Sequence, residues 1–455
     1  MSFFLTKVLA AFDDGGDRPL FIQDGVTTYH QARDRLRRLH GGLGTVGTLA
    51  VDLRNQPETV LVQLAALLRG ATVLLVPASA PARDRLAAAS GATVVTDRPQ
   101  DWPVGDVRTL GDLDGEPEPL HPPENVRLLF PTGGTTGAPK LIRHSGIYDG
   151  MAHLFTPAPD GPGRTLLVAP MTHMTGNATV LGALLRQDTV VVHDGFDAGA
   201  VLDAIQAHRI DTLSLTPPRL AALLDHPKRP ETDLGSVRSL SLGAAPLPPH
   251  RLAQALDVFG PVVGQGYGLT EAPMIASISA AELLDRPERL GSVGRIVPGM
   301  EARITDAGEV EVRGLAMMEG YLGGPEVGAG WLRTGDLGRF DDEGYLYLLD
   351  RADDVVVVGE HGTKVPTTVV EHALAAHPAV RAAAVFGVPG PDGRLLHAVV
   401  VAAGEVTGDD LKAHARAAFG QEHYVPAAVD FVAALPLTDV GKVDKRALAQ
   451  LVTAP

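Results

Sequence analysis

The chain has 455 residues, more than one ordinary hydrophobic core accommodates, so two or more domains are expected. It is 45% hydrophobic and 20% charged, the balance of a folded globular protein, which excludes a disordered chain. A formal net charge of -15 argues against a nucleic-acid or anionic-membrane partner, and the lack of cysteine excludes disulfides, thiolate metal sites and a thioester on the chain itself.

The opening stretch "MSFFLTKVLAAFDDGGDRP" predicts an amphipathic helix and not a secretory signal, because Lys7 divides its apolar patch and acidic residues follow. The most hydrophobic window, Val60 to Pro77, is interrupted by Gln63, Arg69 and Gly70, short of the ~20 apolar residues of a membrane span. A cytoplasmic protein is expected. From Leu49 to about Gly264, short β-branched runs alternate with helical periods: "TLAVDL", "PETVLVQLAALLRG", "ATVLLV", and later "DTVVVHD", "DAGAVLDAIQAHRI", "TLSLTP" and "VRSLSLG". Continuous apolar strands separated by helices predict parallel sheets covered on both faces, and so many units predict two sheets. After Gly291 the texture changes. "EARITDAGEVEVRG" and "RFDDEGYLYLLDR" alternate about glycine-bearing turns, as antiparallel hairpins do. A smaller α/β module follows Arg351, which divides the chain into residues 1–350 and 351–455. The fold class expected is α/β: a large N-terminal domain with two doubly covered, mostly parallel sheets and a small β-barrel-like part, then a small, mobile C-terminal α+β domain.

The stretch "LLFPTGGTTGAPKLIRHS", Leu128 to Ser145, carries the strongest local signal. Its apolar run predicts a buried strand, and the loop after it contains Gly133, Gly134 and Gly137. Such glycines allow successive backbone N–H groups to converge on an anion. Thr132, Thr135 and Thr136 add hydroxyls, and Lys140 adds a positive charge, so the loop suits phosphate. It is not a Walker loop, since Pro139 stands directly before the lysine. "GLGTVG", Gly42 to Gly47, matches a dinucleotide pattern, but it follows a helical segment and precedes a strand, the reverse order; a plain turn is expected there.

Three further stretches follow in order: "GQGYGLTEAP" from Gly264, "RTGDLGRFDDEGYLYLLDR" from Arg333, and "PLTDVGKVDKRAL" from Pro436. With the glycine loop they resemble the acyl-adenylate-forming superfamily, which includes acyl-CoA and aryl-CoA ligases, peptide-synthetase adenylation domains and luciferases. The resemblance covers essentially the whole chain. It implies ATP and Mg²⁺ as cofactors and acyl-AMP as intermediate. Thr132, Gly133, Gly134, Thr135, Thr136, Gly137 and Lys140 would meet the β- and γ-phosphates. Gly243, Ala244, Gly266 and Gly268 would lie along the nucleotide, with Tyr267 stacked on adenine. Thr270 would meet the α-phosphate, and Glu271, with Thr132, would hold the metal. Asp336 would accept the ribose hydroxyls, assisted by Arg351. Asp353 would be the hinge, and Lys442 would reach from the small domain to the carboxylate and α-phosphate.

The resemblance also implies an acid pocket of His173, Met174, Gly176, Gly243 and Gly268, His173 standing beside the substrate carboxylate. No aspartate occupies the place where relatives anchor an amino group, so a small aliphatic or aromatic carboxylic acid is expected. Coenzyme A is the expected acceptor; a carrier-protein phosphopantetheine and an amine or other non-thiol nucleophile stay open. One departure bears on this. In "VVVVGEHGTKVPTTVVEHAL", Gly359 and Gly362 are separated and the spacing to Glu371 is stretched, whereas relatives use this loop to line the pantetheine tunnel.

Overall fold

A computed structural model describes the chain except for residues 78–79, 82–83, 86–87, 90, 104, 133–139, 360–361, 391–392, 439–440 and 454–455. The described residues form four sheets. The first has nine strands in the order Arg295–Ile296, Ala276–Ile278, Val263–Tyr267, Ser239–Leu242, Thr212–Leu215, Arg164–Leu167, Thr189–Val192, Pro19–Ile22 and Val26–Thr28. Its six central strands, from Val263–Tyr267 to Pro19–Ile22, are parallel, and the edge strands run antiparallel. Helices Met174–Arg186, Ala198–His208, Pro217–Leu224 and Pro249–Phe259 make the crossovers and cover its faces.

The second sheet has seven strands: Gly320–Tyr321, Lys140–His144, Arg127–Thr132, Thr72–Leu75, Thr48–Asp52, Thr93–Thr96 and Asp106–Arg108. Five are parallel. Lys140–His144 returns antiparallel beside Arg127–Thr132, because the seven residues between them are too few for a crossover helix. Lys140 is therefore the first residue of a strand, paired with Thr132. Gly133, Gly134, Thr135, Thr136 and Gly137 lie outside the described residues. The "GLGTVG" stretch joins helix Tyr29–Leu43 to strand Thr48–Asp52, the helix-then-strand order expected from the sequence.

One core joins these two sheets. Helix Pro57–Leu68 is buried at every position from Thr59 to Leu68 and packs with helix Met174–Arg186 between them. A helix apolar all round belongs in such a sandwich, which is why this was the most hydrophobic window of the chain. The third sheet, Met300–Ile304, Glu309–Gly314, Leu332–Phe340 and Leu346–Arg351, is wholly antiparallel; in Leu332–Phe340 the buried residues alternate, one face inward. Strands Val356–Val358, Thr363–Val365, Val380–Gly390, Gly393–Ala402 and Ala428–Phe431 form the fourth, with its own apolar core under helices Thr367–Ala375 and Gly408–Phe419. The chain is thus mixed α/β, a large N-terminal domain followed by a small C-terminal one.

Candidate active site

The parallel strands of the first sheet end together on one side, where open α/β sheets bind ligands. After Ser239–Leu242 come Gly243 and Ala244. A side chain at 243 would come within 2.8 Å of the Gly266 carbonyl. Ala244 takes the left-handed conformation, φ 67°, a strain of about 1–2 kcal/mol for a residue with a Cβ. The next strand ends at Tyr267. Gly268 lets the chain double back, since a Cβ there would lie 2.2 Å from the Pro273 carbonyl. Leu269 and Ala272 exchange backbone hydrogen bonds, so Thr270 and Glu271 stand at the tip of a tight turn.

That turn is held by the second sheet. His144 Nε2 donates to the Thr270 carbonyl at 2.6 Å, and burial keeps the ring neutral by lowering its pKa to about 4. The Met318 amide donates to the Glu271 carbonyl at 2.7 Å, and the Tyr321 hydroxyl to Glu271 Oε1 at 3.0 Å. The Lys140 ammonium sits 5.1 Å from the Tyr321 ring centre, a cation–π contact. The root of the glycine loop and the Glu271 carboxylate therefore meet on one tyrosine.

The third sheet supplies Asp336, which is buried. Tyr267 Oη donates to its Oδ2 at 2.5 Å, and Arg351 Nη1 donates to its Oδ1 at 3.0 Å. Asp336 and Arg351 are register partners on adjacent strands, so the pairing follows from the ladder. Gly335 has φ 74° and lies under the Arg351 guanidinium, where a Cβ would come within 2.8 Å of Nη2. Burial, then the Asp336 charge, raises the Tyr267 pKa, so its hydroxyl stays a donor.

From the C-terminal domain a turn closed by the Leu437–Val443 bridge brings in Lys442. Lys442 is exposed by surface area, and its ammonium is partly desolvated by the protein around it. Burial and then repulsion from Arg351 lower its pKa below the ordinary 10.5, while Asp336 and Glu271 oppose the shift. Lys442 thus shares one electrostatic neighbourhood with Arg351, Asp336 and Glu271. His173, Met174 and Gly176 open helix Met174–Arg186, which follows strand Arg164–Leu167 of the first sheet, with His173 at its N-cap. A Cβ on Gly176 would lie 2.1 Å from the Pro170 carbonyl, so the first turn presses on the 170–173 segment. Asp353 stands apart and exposed, in the turn after strand Leu346–Arg351.

Several supporting residues were not found from the sequence. Asn55 holds the Met171 amide at 2.8 Å and the Ala169 carbonyl at 2.9 Å. Asn177 accepts no water-facing role; it is buried, bonded to Gln63 at 2.6 Å and to the Met171 carbonyl at 3.3 Å. The signal for Asn177 was a lone amide in a mostly apolar run, as at Gln63, whereas Asn55, between Arg54 and Gln56, offered none. Such an amide marks burial but does not name the partner.

The AMP-binding enzyme family matches residues 10–322, and the AMP-binding enzyme C-terminal domain matches residues 369–442. The chain belongs to the AMP-binding enzyme family and is an acid-activating ligase. A feruloyl-CoA synthase from an Amycolatopsis species is 32% identical, over 92% of this chain and 92% of that protein. The solved amide bond synthetase of Marinactinospora thermotolerans is 30% identical, with a TM-score of 0.86 over 99% of this chain and 100% of the other. The o-succinylbenzoate CoA synthetase of Bacillus subtilis, solved with its acyl-adenylate, is 26% identical, with a TM-score of 0.84 over 99% and 98%.

Proposed function

We propose that the protein joins an aliphatic or aromatic carboxylic acid to ATP as acyl-AMP and then passes the acyl group to a thiol, coenzyme A foremost. The observation that carries this reading is Lys442, brought from the second domain into the field of Asp336, Glu271 and Arg351. In the first step a carboxylate oxygen attacks the α-phosphorus, the bond to the bridging oxygen breaks, and pyrophosphate leaves. Negative charge grows on the phosphorus centre, where a fixed ammonium stabilises the transition state more than the ground state. Thr132 to Gly137 and Lys140 cradle the β- and γ-phosphates; Thr270 meets the α-phosphate. Gly243, Ala244, Gly266 and Gly268 border the nucleotide, with Tyr267 on adenine and Asp336 and Arg351 at the ribose.

Mg²⁺ fits this donor set. Among the described residues no group of three or more histidine or carboxylate side chains is placed to hold a metal ion by itself, and Glu271 is a carboxylate oriented by Tyr321. Magnesium commonly takes one or two protein carboxylates and completes its sphere with phosphates and water. When bound with ATP it neutralises phosphate charge. In the second step the thiol sulfur attacks the acyl carbon, AMP leaves, and the thiol proton passes to solvent. No helix of the described residues is long and apolar enough to cross a membrane, and we place the reaction in the cytoplasm, where ATP and coenzyme A are supplied.

An amine acceptor is the second reading. It is favoured by the likeness to an amide bond synthetase along nearly the whole chain and by the loop after Val358. There Gly359 and Gly362, both at positive φ, turn a short hairpin between Val356–Val358 and Thr363–Val365. AMP release with a panel of acids, each with coenzyme A, with amines and with neither, decides between the acceptors. Aliphatic or aromatic acids should outperform their α-amino derivatives, with turnover stimulated by coenzyme A. Preference for a free amino acid would overturn the pocket reading, and stimulation by amines alone would establish the second acceptor.

The small domain acts as a lid that turns at Asp353 between the two steps. Asp353→Pro would fix φ near −65° and restrict Ala352, whose amide donates to the Gly335 carbonyl. The two half-reactions should then be damaged unequally, measured as acyl-AMP formation against consumption of preformed acyl-AMP. Equal losses would place the hinge elsewhere.

A further inference from the structure

The turn that carries Lys442 rests on the large domain at a place the chemistry does not touch. Thr216 follows strand Thr212–Leu215 and is the N-cap residue of helix Pro217–Leu224. A threonine there ordinarily turns its hydroxyl oxygen to the helix's free N–H groups. This one makes no such cap. Pro217 and Pro218 remove two of those N–H groups from the first turn, which leaves the hydroxyl available. It is buried, and it donates instead to the carbonyl of Gly441, 225 residues on, at 3.0 Å.

The fit extends one turn along the helix. Arg219 is buried, its guanidinium 5.4 Å from the Phe196 ring centre. A Cβ built on Gly441 would lie 2.7 Å from both Arg219 Nε and Thr216 Oγ1, and Gly441 has φ 78°. Position 441 thus requires glycine twice, once for its dihedral and once for the closeness of the seat. Internally the turn is held by Gly441 N to the Thr438 carbonyl, Thr438 N to the Lys442 carbonyl, both 2.8 Å, and Lys442 N to Thr438 Oγ1 at 3.2 Å. It is therefore a compact unit whose outer contact with the large domain is one residue from the ammonium. Other contacts between the domains, Arg381 with Asp225 and with Arg251, and Asp350 with Thr367 and Thr368, also fasten the small domain to the large one.

We propose that Thr216 and Arg219 are positioning residues for the first half-reaction: they seat the Gly441–Lys442 turn on the large domain, fix where the ammonium stands, and release it for the second step. This rests on the adenylating role assigned to Lys442, so one readout is independent of that role.

Thr216→Val removes the hydroxyl and keeps the shape. Acyl-AMP formation should slow about tenfold, the worth of one well-made hydrogen bond. KM for ATP should hold within about twofold, because Thr216 is placed on the lysine turn and not on the nucleotide. Consumption of preformed acyl-AMP should be unchanged, and Thr216→Ser should restore most of the first step. An equal loss in both half-reactions, no loss in either, or failure of serine to rescue would overturn the seat. The independent readout uses the absence of cysteine. Spin labels on Glu231→Cys and Asp409→Cys, both exposed, report the distance between the domains without any acid. Thr216→Val should deplete the population at the separation seen here. An unchanged distribution overturns the seat; a wild-type protein that forms acyl-AMP from no acid overturns the function and leaves this distance test standing.

Discussion

Lys442→Ala should slow ATP-dependent acyl-AMP formation by roughly a hundred- to a thousandfold, since one preorganised electrostatic contact at such a centre is worth ~3–4 kcal/mol. Thioester formation from supplied acyl-AMP should stay near wild type, because the ammonium faces the first reaction and not the thiol step. The pH profile adds a second signature. The active form is the ammonium, and burial with the nearby Arg351 lowers its pKa from 10.5. Activity should therefore fall on the alkaline side through a pKa below the ordinary lysine value, and that limb should vanish from the residual activity of Lys442→Ala. Pyrophosphate release measured across pH checks both. ATP-dependent activation within threefold of wild type would remove Lys442 from the mechanism.

Asp336→Ala should lower kcat/KM for ATP about a hundredfold. Two losses combine: the acceptor proposed for the ribose, and the buried partner of the Tyr267 hydroxyl. Hydrogen bonds to charged groups contribute ~1.5–3 kcal/mol, and a buried donor left unpaired costs ~1–3 kcal/mol. Arg351 adds little to this, because half of its side chain is in water. Asp336→Asn should be nearly as damaging. Both of its neighbours are donors, Tyr267 Oη and Arg351 Nη1, so an amide would have to turn its own N–H groups on one of them. The measurement is pyrophosphate release against ATP concentration, with AMP binding by calorimetry. An unchanged ATP dependence in both variants would leave Asp336 a structural residue that holds Tyr267 and Arg351 in place.

The alternation of continuous apolar runs with helical periods was enough to indicate two covered, mostly parallel sheets, because central parallel strands are buried on both faces and must read as unbroken hydrophobic segments. The antiparallel return of Lys140–His144 was not legible. Its residues, Lys-Leu-Ile-Arg-His, are half-buried and carry no pattern that sets strand direction, and only the shortness of the intervening loop does so. The hairpins after Gly291 were legible from alternation about glycine turns, since their third sheet keeps one face toward water.

By itself the sequence determined the order of the motifs and which residues within each stand side by side. The Thr270–Glu271 pair after Gly268 and Asp336 beside Gly335 stand in short motifs that the family resemblance picked out, and a short window contains each motif whole. The tertiary structure alone decided what holds them. His144 reaches Thr270 across 126 positions, Tyr321 reaches Glu271 across 50, and Thr216 reaches Gly441 across 225. A threonine before two prolines reads as an ordinary helix start, and nothing local reports that its hydroxyl has a distant carbonyl in reach. Such contacts form only once the sheets and their shared core have brought remote strand ends together, so their partners are a property of the packing and not of any stretch of chain.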